Sequence, residues 1–228
     1  MGTARFLSSH GKGCSGSKPS AAKGAGLRFR VNDCLLGVLQ RARSLGRRAC
    51  IELPDNGLVQ VDFEEQYCVL DLASEQEFFA GLPKHFVTRR LSRLDGQAVR
   101  PLDELTWKAA YHASNGALLE GYHPFDVVEL ERWPNFTRLP HAECCLPLCS
   151  ILARRPTSIS FAHRMLRIPH DDAMRFYSAA RASGHLRLIS SQPSADANSS
   201  ETTPADSQAA SARSGTIWSR LFSRVSGL

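Results

Sequence analysis

The chain has 228 residues, with 28 Lys plus Arg against 22 Asp plus Glu and a formal net charge of +6. Arg5, Lys12, Lys18, Lys23, Arg28 and Arg30 all precede the first acid, Asp33, so the remaining 198 residues carry 22 bases and 22 acids. The excess charge therefore belongs to a leader, which excludes a uniformly basic nucleic-acid-binding body while leaving room for a local patch.

Residues 1–26 are rich in Gly, Ser, Ala and Lys and read as a disordered basic leader. Gly16-Ser17-Lys18 inverts the order of a phosphate loop, and no strand precedes it. From Leu27 the pattern becomes ordered. Asn32 or Asp33 can cap a helix carrying Leu35, Leu36, Val38, Leu39 and Ala42, with Gly46 as its stop. Ala49, Ile51 and Leu53 then alternate with Arg48, Cys50 and Glu52, which is strand periodicity. Pro54-Asp55-Asn56-Gly57 predicts a turn with positive φ at Asn56 and Gly57. Strands over 58–63 and 67–72 come next, and Ser74 with Glu77 forms a capping box for a helix holding Phe78 and Phe79.

Residues 86–94 fit either a strand or a helix. Pro101 to Ser114 reads as a helix with Leu102, Leu105, Ala109 and Ala110 inward, ended by Asn115-Gly116. Asp126 to Arg132 reads as a strand broken by Trp133-Pro134. Beyond Ala142 three helices are expected. The first carries Leu148, Ile151 and Leu152. The second spans 159–166 with Ile159, Ala162, Met165 and Leu166 inward. The third begins at Asp171 or Asp172, carries Ala173, Phe176, Tyr177 and Ala180 inward, and ends at Ser183-Gly184. Leu186 and Ile189 supply one short strand.

The fold class expected is α+β. A helix-plus-meander domain spans 27–140, and a helical, winged-helix-like unit spans 141–189. A disordered linker covers 190–214, and an amphipathic helix covers 215–228. The linker spans on the order of 25–30 Å as a coil.

The helices at 148–183 have the lengths and tight turn of a helix-turn-helix. A DNA reader sets the start of its third helix against the major groove. Here that start is His170-Asp171-Asp172, whose carboxylates repel phosphate. The second wing strand is also missing, because the chain runs into Ser191-Gln192-Pro193. Arg154, Arg155, Arg164 and Arg167 are the candidates for nucleic-acid contact, but a protein-binding or structural role suits the unit better.

Seven cysteines, mostly in apolar runs, indicate reduced thiols in a cytoplasmic protein. His141, Cys144, Cys145 and Cys149 form a metal-like cluster, but adjacent cysteines without a Cys-x-x-Cys knuckle read better as core residues, so no metal or cofactor is expected. Arg89-x-x-x-Arg93 reads as a solvated pair. No motif of a hydrolase, metalloprotease or dinucleotide enzyme occurs, so no catalytic residue and no small-molecule substrate is expected.

The sharpest signal is the C-terminal segment. At 100° per residue, Ile217, Trp218, Leu221, Phe222, Val225 and Leu228 fall on one side of a wheel, while Ser219, Arg220, Ser223, Arg224, Ser226 and Gly227 fall on the other. Such a short helix needs something to bind: a partner's groove, its own body, or a peripheral anionic membrane surface.

Leu35-Leu36-x-Val38-Leu39, Arg47-Arg48-Ala49-Cys50-Ile51-Glu52-Leu53 and Val59-x-Val61-x-Phe63 resemble the PATAN domain of bacterial signalling proteins. The stretch 105–139, with Asn115-Gly116-Ala117-Leu118-Leu119-Glu120-Gly121 and Arg132-Trp133-Pro134-Asn135-Phe136, is similar to uncharacterised proteobacterial proteins that join such a domain to a degenerate helix-turn-helix. The resemblance covers about 30–190 and carries no functional residue. It implies a non-catalytic role in bacterial signalling or motility. The absent catalytic constellation and the clean terminal helix lead to the main expectation, a non-enzymatic adaptor that binds protein partners, in part through that helix. The alternative is a DNA-binding regulator using 157–184.

Overall fold

The computed structural model describes residues 27–96 and 98–191. The expected leader over 1–26, nearly all of the linker, and the terminal segment 215–228 lie outside the described residues.

Strand β1 (Arg28–Phe29) leads through one 3-10 turn, Val31–Asp33, into helix α1 (Leu35–Ser44). The expected cap at Asn32 or Asp33 does not form. Both residues lie in the 3-10 turn, and Cys34 precedes α1 without a side-chain bond to it. Gly37 permits this tight entry, since a Cβ there would press on the Val31 carbonyl.

Strands β2 (Arg48–Leu53), β3 (Gly57–Asp62) and β4 (Tyr67–Leu72) form the expected antiparallel meander. At the first turn, positive φ falls on Asp55 (66°) and Gly57 (120°) rather than on Asn56. Asn56 is instead buried, and its Nδ2 donates to Glu77 Oε2 at 3.0 Å. Helix α2 (Glu75–Ala80) starts at the predicted cap, where Ser74 Oγ accepts from the Glu77 amide at 3.4 Å. Phe78 and Phe79 are both buried.

The ambiguous stretch at 86–94 resolves as strand β5 (Val87–Arg90), and a further strand, β6 (Val99–Pro101), comes after it. The sheet order is β5-β2-β3-β4-β6. Ala49, Ile51, Val59 and Val61 lie on the face beneath the helices. The connection from β5 to β6 crosses the other face. There Gln60 Nε2 donates to the Asp95 carbonyl (2.9 Å), its Oε1 accepts from the Asp95 amide (2.8 Å), and Arg48 Nη1 donates to the Ser92 carbonyl (2.8 Å). The crossing lies over the side of the sheet that carries Cys50 and Val69, and both are buried despite their strand parity.

Helix α3 (Leu102–Ser114) ends at Asn115 (φ 40°) and Gly116 (φ 86°), as the sequence predicts. Strand β7 (Leu118–Leu119) then pairs in parallel with β1. Strand β8 (Val127–Leu130), helix α4 (Cys145–Arg154), strand β9 (Thr157–Ser158), helix α5 (Ile159–Leu166), helix α6 (His170–Ala182) and strand β10 (Leu186–Ser190) complete the described chain. Ser158 caps α5 by accepting from the Phe161 amide at 3.3 Å.

Two further features differ from the sequence reading. Met165, expected inward, is 46% exposed, because the inward face of α5 is completed by Ile159, Ser160 and Ala162. The second feature is the sheet β10-β8-β9, which is antiparallel throughout. Its middle strand comes from upstream of all three helices. The architecture is mixed α+β, and one apolar cluster runs from α1 and the meander through Trp107 of α3 to Leu148, Ile159 and Phe176.

Candidate functional site

A cleft of about 630 Å³ opens where the two ends of this architecture meet. Its apolar lining includes Leu36 and Leu39 of α1, Phe63, Leu102, Leu119 and Tyr122. Its polar lining comes from elements far apart in sequence: Gln40 and Arg43 of α1, Gln66 of the β3–β4 turn, Asp103 and Thr106 of α3, Arg132 after β8, and Ser183 after α6. The α1 helix brings Leu36, Leu39, Gln40 and Arg43 to one side by its i, i+3, i+4, i+7 spacing.

Several of these polar groups are already engaged. Arg132 Nη1 lies 2.9 Å from Asp103 Oδ2. Thr106 Oγ1 donates to the Leu102 carbonyl at 3.0 Å. The Leu102 amide donates to the Gln66 carbonyl at 2.8 Å. Arg43 has no ion pair or side-chain hydrogen bond among the described residues. Helix α3 begins at the cleft behind Pro101 and has no side-chain N-cap.

Ser183 and His185 adjoin the cleft as a close pair, with Oγ 2.8 Å from Nδ1. The pair does not have the arrangement of an activated nucleophile. The Ser183 hydroxyl donates back to the Ala179 carbonyl at 2.7 Å, so the imidazole Nδ1–H is the donor between the two. Burial is the main cause that lowers the His185 pKa; nearby Asp103 raises it and Arg132 lowers it. The ring sits edge-on to Trp107 at 5.4 Å, as a packing element of the core.

The four arginines singled out from the sequence are all exposed. Arg154 and Arg155 sit at the C-terminal end of α4, Arg164 lies on α5, and Arg167 occupies the left-handed turn (φ 56°) before α6. None has an ion pair among the described residues. Phe161 and Met165 share the exposed side of α5 with Arg164. The start of α6 is exposed at His170 and Asp171, but seven of its thirteen residues are buried: Ala173, Met174, Phe176, Tyr177, Ser178, Ala179 and Ala180. Phe176 meets Trp107 of α3 edge-on at 6.0 Å, and Ser178 Oγ accepts from the Leu119 amide of β7 at 3.2 Å.

The cysteines of the metal-like cluster divide by burial. Cys145 and Cys149 are buried within the core, and burial pushes both thiols up to about 12. Cys144 is half-buried, while His141 Nδ1 donates to the Leu139 carbonyl (2.9 Å) and the ring packs on Phe136. The expected partner-binding residues Ile217, Trp218, Leu221, Phe222, Val225 and Leu228 lie outside the described residues.

The sequence reading missed the cleft. Arg43, Asp103 and Arg132 belong to no short motif, and each is unremarkable in its own segment. No helix among the described residues is long and apolar enough to cross a membrane. Comparison with protein-family models, with curated proteins and with solved structures finds no match.

Proposed function

We propose that this chain is a non-enzymatic cytoplasmic adaptor of the bacterial signalling or motility type, and that its helix-turn-helix serves as internal scaffold. One observation carries this reading: α6, the helix that would read a DNA groove, is packed along α3 and β7 for most of its length. Its exposed start is acidic where a reader needs to neutralise phosphates.

The unit is winged-helix-like in a rearranged order. Helices α4, α5 and α6 stand in the three helical positions, β9 lies between the first two, and β10 comes after the third. The position of the second wing strand, which the chain after β10 does not supply, is taken by β8 from upstream. That loan ties the unit to the segment before it and favours a fixed scaffold over an independent DNA-reading module. Partner binding then falls to surfaces outside the helix-turn-helix interior: the exposed Phe161–Met165 side of α5 and the amphipathic segment over 215–228.

The test pairs two measurements on the full chain. Deletion of 215–228, and separately Phe161→Ser with Met165→Ser, should each remove a subset of proteins captured under native conditions. A DNA gel shift with salt titration should show no steep, salt-sensitive complex, and replacing Arg154, Arg155, Arg164 and Arg167 by Ala should leave the protein interactors unchanged. Unchanged interactors in both protein variants, or a DNA complex lost in the arginine variant, overturns the adaptor reading.

A further inference from the structure

We infer that the cleft between α1, the start of α3 and the end of α6 is a binding site for a small amphiphilic acid, a molecule with an apolar body and one anionic head. The inference stands apart from the adaptor reading, because it concerns a site that no partner-binding surface shares.

Three properties of the cleft select this chemistry. Its volume of about 630 Å³ lies within the range of roughly 300–1,000 Å³ common for small-molecule sites. Leu36, Leu39, Phe63, Leu102 and Leu119 offer the apolar body a surface drawn from four different segments. The charged groups of the lining are Arg43, Arg132 and Asp103. Asp103 and Arg132 neutralise each other at 2.9 Å, which leaves the Arg43 guanidinium as the uncompensated charge. A single anionic head satisfies it by a bidentate, charge-assisted contact.

The start of α3 adds to the same preference. The helix is thirteen residues long, its cap is Pro101, and Leu102 and Asp103 line the cleft, so the positive end of its dipole lies at the cleft wall. Its other first-turn acid, Glu104, is not part of the lining, and its Oε1 lies 3.6 Å from Arg138.

Charge also decides against one competing occupant. The C-terminal segment carries Arg213, Arg220 and Arg224 and no acid after Asp206. A cationic segment is a poor match for a lining whose uncompensated group is itself an arginine. Neutral lipids and polyanions fit less well too: the first leaves Arg43 without a partner, and the second brings more charge than one guanidinium meets.

The probe is 8-anilinonaphthalene-1-sulfonate, an aromatic monoanion whose emission rises in an apolar site, titrated into the full-length protein. Competition by decanoate, by naphthoate, by decanol and by inorganic phosphate separates the contributions of body and head. The expected result is one saturable site from which decanoate or naphthoate displaces the probe. Whichever of the two competes better assigns an acyl or an aromatic body. Decanol should compete about tenfold less well than decanoate, and phosphate should not compete at all. Arg43→Gln, a change on the exposed side of α1, should weaken the probe about fivefold. Thr106→Trp, which fills the cleft, should abolish saturable binding while the far-ultraviolet circular dichroism is retained. Non-saturable binding, equal competition by decanol and decanoate, or affinity unchanged in both variants overturns the inference. If Thr106→Trp fails to fold, Arg43→Gln decides alone.

Discussion

Arg48 and Asp62 are register partners across β2 and β3, and the guanidinium Nε meets the carboxylate Oδ2 at 2.6 Å. The Asp62 Oδ1 also accepts from the Glu64 and Glu65 amides at 3.0 Å each, so one side chain closes the β3–β4 turn and joins two strands. Burial alone would raise the Asp62 pKa, but the Glu65 amide, Arg48 and the Glu64 amide more than offset it and hold the carboxyl at about 2, against an ordinary 3.8.

A carboxyl held down in the folded state contributes stability that is fully present above its unfolded pKa and is lost as pH falls through the folded one. Asp62 therefore stabilises the protein by about 2 kcal/mol at neutral pH, and that increment disappears between about pH 4 and pH 2. Asp62→Asn should lower urea-derived stability at pH 7 by about that amount and flatten the pH dependence over this window. A variant whose stability still falls as steeply as wild type from pH 4 to pH 2 would place the acid-sensitive group elsewhere.

Trp107 ties the two halves of the chain. Its ring is fully buried, its Nε1 donates to the Pro140 carbonyl at 3.0 Å, and it meets Phe136, Phe176 and His185 edge-on. Trp107→Ala should cost about 3–5 kcal/mol, in the range of large core truncations. Because its partners Phe136 and Pro140 belong to 27–140 and Phe176 and His185 to 141–189, thermal unfolding of wild type should be one transition. Circular dichroism and tryptophan emission should report the same midpoint. Two separated transitions would show that 27–140 and 141–189 unfold as independent units.

Thiol chemistry distinguishes core cysteines from a reactive or metal-binding cluster. Burial pushes Cys68, Cys145 and Cys149 up to about 12, which cuts their thiolate population about a thousandfold relative to an ordinary thiol. Cys144 is the one partly exposed thiol among the described residues. Brief iodoacetamide treatment of the native protein, read by peptide mass spectrometry, should modify Cys144 well before these three, and all four together only above the unfolding midpoint. Early, equal modification of Cys145 and Cys149 would contradict their core placement.

Much of the local structure is legible in the sequence because short-range physics sets it. Ser74 and Ser158 cap their helices, Asn115-Gly116 ends α3, and the inward positions of α6 match its helical spacing. The errors arise where a distant segment decides. Asn56 turns inward to reach Glu77, which moves the positive φ to Asp55. Cys50 looks half-exposed from strand parity until the β5–β6 crossing lies over its face. The residues after β10 hold too little apolar character for a further strand, and β10 pairs instead with β8 from upstream; no local pattern encodes a strand's partner. The cleft is invisible in the sequence for the same reason: its charged residues lie on three segments that only tertiary packing brings together.

Lys108 and Glu75 provide the last test. The lysine side chain is only 4% exposed, and its Nζ meets Glu75 Oε2 at 2.6 Å. Glu104 stands one turn earlier on α3, and its Oε2 has no hydrogen-bond partner. A buried ammonium is tolerated only while it is paired, whereas an apolar side chain of similar length fits the same space with little loss. Because Glu75 is half-exposed, solvent screens part of the pair, and Glu75→Gln should cost about 1–2 kcal/mol. Lys108→Met should cost less than Glu75→Gln. The double variant should cost no more than Lys108→Met, since Glu75 reaches water once its partner is gone. Chemical denaturation of the four proteins closes the cycle. Strictly additive losses would show that the pair is not coupled and that Lys108 draws its compensation from Glu104 instead.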